Sequence, residues 1–324
     1  MSLSAARPFL LGVNYPWLNY ALDFGQGPSG HLGISLPETQ SRVAQDFREI
    51  RDSGAGVVRW FLFGDGRAGF HTEKGIPTKP DASLYADVAA ALRMAEDCRL
   101  RLCFSLLDFL WLQDHGGKRV GHANELLLQF TAGREAFLEH ILVPLFREFR
   151  GHPALFAWEI ANEPEWAIRE FHRAPVAKMH LADFRVFATE VARAIHEVAD
   201  VPATLGSAQL HWVRAWHEIG LDFYQAHYYP SKEDEAGAQL DKQLAALPSL
   251  DKPLWIGELP ARDASPDYSF QKALGYCREA GVLGAALWRW TKPAETGSDW
   301  NIGCVDPAAL QAWTAESQTR SASS

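Results

Sequence analysis

A closed (β/α)8 barrel is the fold that this 324-residue sequence predicts, and three observations predict it. Eight short apolar runs recur along the chain without the polar alternation of a half-exposed sheet, which suits parallel strands covered on both faces. Segments with a helical period of apolar residues separate them. The connections that follow the runs are long and those that precede them are brief, as expected of a barrel whose function sits at one rim.

The first run, Phe9 to Tyr15, leads through a long connection from Trp17 to Pro37 into a stripe of Val43, Phe47 and Ile50 spaced i, i+4, i+7. The second, Val57 to Phe63, leads through Gly64 to Pro80 into Leu84, Val88, Leu92 and Ala95. After the third, Leu100 to Leu107, the connection from Asp108 to Gly133 precedes an amphipathic stretch from Arg134 to Phe149, in which Pro144 is expected to kink the helix. The fourth, Leu155 to Ala161, continues through Pro164 to Lys178 to a stripe of Phe184, Phe187, Val191, Ile195 and Val198. The fifth to seventh runs are Ala203 to Ser207, Phe223 to Tyr228 and Leu254 to Glu258. A helix from Pro266 to Ala280 then has Ser265 as N-cap, Pro266 at the first helical position and Gly281 just past its end. The eighth run, Leu283 to Trp290, is followed by a connection from Thr291 to Val305 and a last helix near Pro307 to Trp313. The return connections, Ser53 to Gly56, Gly151 to Ala154, Asp200 to Pro202 and Asp251 to Pro253, are brief. Strand then helix, eight times, gives the α/β barrel. No linker breaks the composition, so residues 1–315 read as one barrel domain and 316–324, rich in Ser and Thr, as a disordered tail.

Composition narrows the function. With 47% hydrophobic and 22% charged residues the chain reads as an ordinary soluble globular protein. A formal charge of −9 and the lack of a Lys/Arg-rich run argue against nucleic acid and favour a neutral partner. No apolar stretch reaches the length of a membrane span. Residues 1–8 show no signal peptide, so the chain as it stands reads as cytoplasmic, and as secreted if a leader has been removed. Cys98, Cys103, Cys277 and Cys304 have neither CxxC nor zinc-type spacing and read as buried free thiols. No His-x-His or His/carboxylate cluster marks a strand end, so no metal or other cofactor is expected.

Glu163 and Glu258 each follow a short apolar run, in Trp158-Glu159-Ile160-Ala161-Asn162-Glu163-Pro164 and Leu254-Trp255-Ile256-Gly257-Glu258-Leu259-Pro260. Carboxylates are costly at the end of a core strand unless something compensates. Two in matching positions point to acid/base and nucleophilic chemistry on a sugar, for which a retaining mechanism needs carboxyls about 5–5.5 Å apart. Arg59, at the end of the second strand, is expected to hold one of them anionic, and Tyr229 to donate a hydrogen bond to the same group. Glu159 lies before the strand end, and Glu165 reads as a solvated or subsite residue.

Together these residues resemble the (β/α)8 retaining glycoside hydrolases of clan A, most closely the family 5 cellulases and mannanases, over nearly the whole chain. Asn162-Glu163-Pro164 is similar to the family's Asn-Glu-Pro after strand four, which implies Glu163 as acid/base and Asn162 as donor to the sugar 2-hydroxyl. Ile256-Gly257-Glu258 is similar to the strand-seven motif, which implies Glu258 as nucleophile. Val58-Arg59-Trp60 resembles the strand-two arginine, His227-Tyr228-Tyr229 the strand-six His-x-Tyr, and Trp288 the strand-eight tryptophan beneath the sugar. The family often has Phe-Gly after the nucleophile, where this chain has Leu259-Pro260, and His115 and His122 lie too deep in their loop to match the family's strand-three histidine. The resemblance implies a retaining β-glycoside hydrolase of a β-linked glucan or mannan, or its oligosaccharides. Alternatives are a transglycosidase of the same chemistry, a carbohydrate-binding barrel without catalysis and, more distantly, a metal-dependent amidohydrolase barrel.

The chain has 12 tryptophans, and Trp17, Trp111, Trp166 and Trp300 fall in the long connections. Indoles stack on the C–H faces of sugars, so Trp288, then Trp17 and Trp111, are expected to line subsites. Trp158, Trp212, Trp216 and Trp313 read as packing residues, and His227 equally as a core histidine or a ligand contact. Gly25, Gly27 and Gly30 lack a P-loop lysine and read as a flexible lid or rim.

Overall fold

The computed structural model describes residues 9–114, 131–230, 238–261, 268–290 and 304–322. Eight strands form a closed parallel barrel: β1 (Leu10–Asn14), β2 (Val57–Phe61), β3 (Arg101–Ser105), β4 (Leu155–Asn162), β5 (Ala203–Ser207), β6 (Tyr224–His227), β7 (Leu254–Pro260) and β8 (Gly284–Trp288). Each pairs with its sequence neighbour, and β1 closes the ring on β8 in the register Gly12↔Ala286. Register shifts interrupt β4–β5 between Glu159 and Asn162, β6–β7 between Ala226 and His227, and β7–β8 between Ile256 and Leu259. These three lie near the carboxyl ends of the strands, where a bulge re-aims a side chain; a fourth, in β3–β4 between Leu102 and Cys103, lies lower in the barrel.

The barrel interior is built in layers from alternate strand residues. At the bottom an apolar plug of Val57, Cys103, Phe156, Ala157, Phe223, Trp255 and Ala286 fills the lumen. One step up each strand the inward residues are Arg59, Glu159 and Gln225, all 0–1% exposed. Room for this polar layer comes from glycine: a Cβ on Gly206 would lie 2.5 Å from Glu159 Oε1, and one on Gly257 2.4 Å from Gln225 Nε2. At the mouth Trp17, Phe61 and Trp288 form a separate aromatic cluster.

The helices bury the stripes that the sequence marks. Val43, Phe47 and Ile50 are buried on α1 (Pro37–Asp52), and Leu84, Val88, Leu92 and Ala95 on α2 (Ala82–Asp97), whose N-cap Asp81 accepts from the Ser83 and Leu84 amides. Thr131–Phe137, Leu138–Leu142 and Val143–Glu148 run on as one helix, α3, with the middle piece wound as a π-turn. Pro144 follows that turn; its missing N–H and bulky ring are accommodated by local widening. Phe184, Phe187, Val191 and Ile195 are buried on α4 (Leu181–Val198). Three further helices are α5 (Ala238–Ala246), α6 (Phe270–Glu279) and α7 (Pro307–Ala322).

Several expectations need correction. The connection after β5 holds a 3-10 helix, Leu210–Trp216, in place of an α-helix. Its buried residues Leu210, Val213 and Trp216 recur every third residue, the period of that tighter helix. α6 starts at Phe270, capped by Ser269, while the expected start at Ser265 and Pro266 lies outside the described residues. α7 runs to Ala322, into the tail expected to be disordered; Asp306 accepts from the Ala308 and Ala309 amides at its start, and neither Gly nor a second Pro stops it. The Gly25–Gly30 stretch folds as a hairpin, Gln26–Gly27 with Gly30–His31, tied to α2 by Gly25 and Gln26 amides donating to Asp87 and Asp81. That makes it a fixed rim. His115, His122 and Trp300 lie outside the described residues. Cys98, Cys103 and Cys277 are buried free thiols and Cys304 is partly exposed.

Candidate active site

Eight strand ends converge on Glu163 and Glu258, and each carboxyl has an oxygen within 4.8 Å of the other and of a His227 ring nitrogen. β7 delivers Glu258 from its bulge, 4% exposed. Glu163 follows β4 in the left-handed region, φ 47 and ψ 48, a conformation costly for a residue with a Cβ. Its amide donates to the Gly206 carbonyl at 2.7 Å, which fixes the turn, and its side chain is 14% exposed at the cleft floor.

The two carboxyls sit in different hydrogen-bond environments. Glu258 accepts from Arg59 Nη1 and from the Tyr229 hydroxyl, both at 2.6 Å. Burial raises its pKa and outweighs Arg59 and the Tyr229 hydrogen bond, which act to lower it. Arg59 carries the fixed charge among these. Burial works against that charge, but the Glu159 and Glu258 carboxylates more than offset it and raise its pKa. Glu163 accepts from the Trp166 indole Nε1 at 2.8 Å and lies 2.7 Å from His227 Nδ1. Burial pushes its carboxyl up to about 7, against the Trp166 hydrogen bond and the more distant Arg59. Burial raises both carboxyls; Glu258 has a guanidinium and a phenol hydroxyl on its oxygens, which favour its anion, and Glu163 is left able to carry a proton near neutrality, a difference in environment of the kind that acid and nucleophile require.

Arg59 organises the floor. Nε and Nη2 donate to the two oxygens of Glu159 at 2.5 and 2.6 Å; Nη1 also reaches Asn14 Oδ1 at 2.9 Å, and Nη2 reaches Asn162 Oδ1 at 2.7 Å. With the bond to Glu258 that uses all five guanidinium donors. Arg59 is 0% exposed, so it acts through Glu258 and Asn162, and its expected place among substrate-contacting residues is corrected. Asn162 donates one of its two amide hydrogens to Asp108 Oδ1 at 3.0 Å and lines the cleft, which leaves the other for a ligand.

His227 is a neutral donor here. Burial pushes it down to about 4. Gln225 Nε2 must donate to the acceptor-only Glu159 Oε2, 3.1 Å away, which orients the amide so that its nitrogen faces His227 Nε2 at 3.4 Å. The remaining ring proton is thereby placed on Nδ1, toward Glu163. Glu163, His227 and Glu258 could together present ligand atoms to a cation. The Arg59 guanidinium already occupies that role against Glu258, and a metal ion beside it would meet a like charge.

The cleft above these residues encloses ≈ 1250 Å³ and is lined by Trp17, Phe61, Trp288, Tyr229 and Asn162 around the two glutamates. Beyond Glu163 it continues past Trp166, His172, Gln209 and Gln243. Trp288 is held edge-on by Trp17 and Phe61, with ring centroids 6.0 and 6.4 Å apart. Trp111 is elsewhere: 3% exposed, it packs against Phe70 and Phe137 at 5.8 and 5.7 Å in the core and does not line the cleft. The nearly continuous apolar sequence Phe109 to Leu112, one helical turn, turns it inward. Glu165 is also corrected. It is 0% exposed and accepts from Ser207 Oγ at 2.6 Å, Trp216 Nε1 at 2.8 Å and the Ala208 amide at 3.1 Å, and burial pushes it up to about 7.

Sequence reasoning set Glu159 aside as lying before the strand end, passed over Gln225, Asn14 and Asp108, and noted Trp166 only as a loop tryptophan. A signal existed for Glu159 and Gln225: each is a polar residue inside an apolar run, Gln225 with His227 two positions on, at the parity that faces the lumen. Asp108, pushed up to about 6 by burial and held by Asn162 and by Tyr20 at 2.9 Å, had none.

No family model matches the chain. It is 24% identical to a mannan endo-1,4-β-mannosidase of Mytilus edulis, over 90% of this chain and 85% of that protein. A second mannan endo-1,4-β-mannosidase, from Cryptopygus antarcticus, is 22% identical over 94% and 86%. The X-ray structure of the Mytilus edulis β-mannanase aligns with a TM-score of 0.75 at 22% identity, covering 95% of this chain and 92% of that one. The chain is similar to the β-mannanases. This likeness bears out the resemblance to clan A, family 5 drawn from the strand ends. The mannanase likeness covers the barrel from end to end, and the fold is shared with it.

Proposed function

We propose that the chain is a retaining β-glycoside hydrolase of β-1,4-linked mannan-type poly- or oligosaccharides. The observation that carries the reading is the pair of carboxyls within 4.8 Å of each other, one on Arg59 and Tyr229, the other with its pKa raised to about 7. Such a separation suits double displacement, because it leaves no room for the water that an inverting enzyme places between them. The mannan endo-1,4-β-mannosidases it resembles support the substrate class.

In the first step a Glu258 oxygen attacks the anomeric carbon, the glycosidic C–O bond breaks, and the Glu163 proton passes to the leaving oxygen. In the second, water gives a proton to Glu163 as its oxygen bonds to the anomeric carbon, and the bond to Glu258 breaks. Tyr229 and Arg59 hold Glu258 for in-line attack and receive its charge on release. Asn162 offers its free amide hydrogen to a hydroxyl of the sugar at the cleavage site, and Trp288 and Trp17 wall the apolar face of that ring.

The test is hydrolysis of β-mannan, β-manno-oligosaccharides and β-glucan by the wild type beside Glu258→Ala. Turnover of the mannan class with retained anomeric configuration, absent from the variant, is the expected result. Binding of manno-oligosaccharides by a folded wild type that turns over none of them would instead identify a binding barrel.

A further inference from the structure

Trp166 is not among the residues that the strand-end motifs assign, yet it touches Glu163 directly. Its Nε1 lies 2.8 Å from Glu163 Oε2, and it is brought there by the 3-10 turn Pro164–Ala167 that follows the left-handed Glu163. Its ring is clamped edge-on by His172 at 5.0 Å and by Trp212 at 5.6 Å. It lines the same cleft as Trp17, Phe61 and Trp288 but packs in a different aromatic group from theirs. The same side chain therefore borders the cleft and holds the acid/base.

We propose that Trp166 is a positioning residue for the acid/base: its indole N–H fixes the Glu163 carboxyl and limits its proton affinity, while its ring walls the leaving-group subsite. The inference rests on the glycosidase reading for its kinetic test, but not for the hydrogen bond itself. A donor to a carboxylate stabilises the anion more than the acid. Without Trp166 no other donor among the described residues sits on that oxygen to oppose the burial that drives protonation. His227 Nδ1 still faces the other oxygen. Charged or titratable groups reach Glu163 from the remaining strands: Arg59 from β2, Asp108 after β3, Glu159 from β4, Tyr229 after β6 and Glu258 from β7. None of these replaces the indole donor on Oε2.

The location also gives the contact a role in the cycle. A sugar on the ring excludes water from Glu163 while it must be an acid. Its departure lets water in, and the indole N–H then favours the carboxylate that must act as base. One residue separates the two protonation states between the two steps.

The experiment compares Trp166→Phe, which keeps a ring and removes the N–H, with Trp212→Phe, which alters only the clamp. For Trp166→Phe the basic limb of kcat/KM on manno-oligosaccharides should move up by about one pH unit, with KM within about threefold of wild type because the ring remains. An unmoved limb, or an equal shift in Trp212→Phe, overturns the proposal. A second measurement does not need turnover: with 15N-labelled tryptophan, the Trp166 indole N–H resonance in the wild type should titrate near pH 7 and stop doing so in Glu163→Gln. An indole signal indifferent to Glu163 overturns the proposal even in an active enzyme. A titrating signal in a wild type that hydrolyses no β-glycoside leaves the contact standing and removes the glycosidase reading.

Discussion

The bottom of the barrel and its mouth are made of the same eight strands and follow opposite rules. At the bottom, Trp255 meets Phe156 at 5.7 Å and Phe223 at 6.4 Å, and apolar volume fills the lumen. One layer up, a guanidinium and a carboxylate, each 0% exposed, face each other, and above them stand two more carboxyls. The lower layer contributes stability by burial. In the upper layer the attraction within the ion pairs has to offset several kcal/mol of desolvation per charge. The difference teaches where each kind of substitution should be felt.

The largest effect is expected from Glu258→Ala, which should lower kcat by about 10⁴-fold or more while leaving the folded barrel intact by circular dichroism. Residual turnover near the wild-type rate would remove the mouth's claim to the chemistry. Next, Glu163→Ala should lose about 10²–10⁴-fold on manno-oligosaccharides and far less on aryl glycosides with good leaving groups, which need no proton. Equal losses on both substrates would contradict the acid role. Arg59→Met should fail in both respects, since it strands Glu159 and Glu258 without their cation: about 3–5 kcal/mol of stability, read from urea midpoints, together with activity. Trp255→Ala isolates the lower layer. It should cost about 3–5 kcal/mol through its cavity and leave kcat of the folded fraction close to wild type. A large kcat defect there would show that the two layers are mechanically coupled.

The smallest effect is the pH dependence. In the proposed mechanism Glu163 is the acid, and its folded pKa is raised to about 7 by burial. The protonated fraction is complete below that value and falls as pH rises through it, so kcat/KM should drop about tenfold per unit above pH 7. A basic limb starting well below pH 6 would mean that Glu163 is less desolvated than the cleft geometry indicates.

The lower layer and the shell were legible in the sequence because apolar period is a local signal. Val43, Phe47 and Ile50 show a helix face whatever else the chain does. The two glutamates were legible because a carboxyl just after an apolar run conflicts with that signal. What stayed hidden depends on distance in sequence. Asp108 holding Asn162, and Glu159 orienting the Gln225 amide that sets the tautomer of His227, exist only once separate strands have come together in the ring. Trp111 misled for a related reason: a tryptophan in a long connection looks solvent-facing until Phe70 and Phe137 arrive from other segments to bury it.

Glu163 also marks a conflict between two selective pressures on one position. A chain optimised for rigidity alone would place glycine or asparagine where φ is 47 and ψ is 48. Retaining a carboxyl there costs on the order of 1–3 kcal/mol at the residue proposed to carry the reaction's proton. Ala21, Lys74, Arg99, Asp200 and Glu218 share the positive φ without that proposed role, so stability engineering can begin at those positions and should leave position 163 alone.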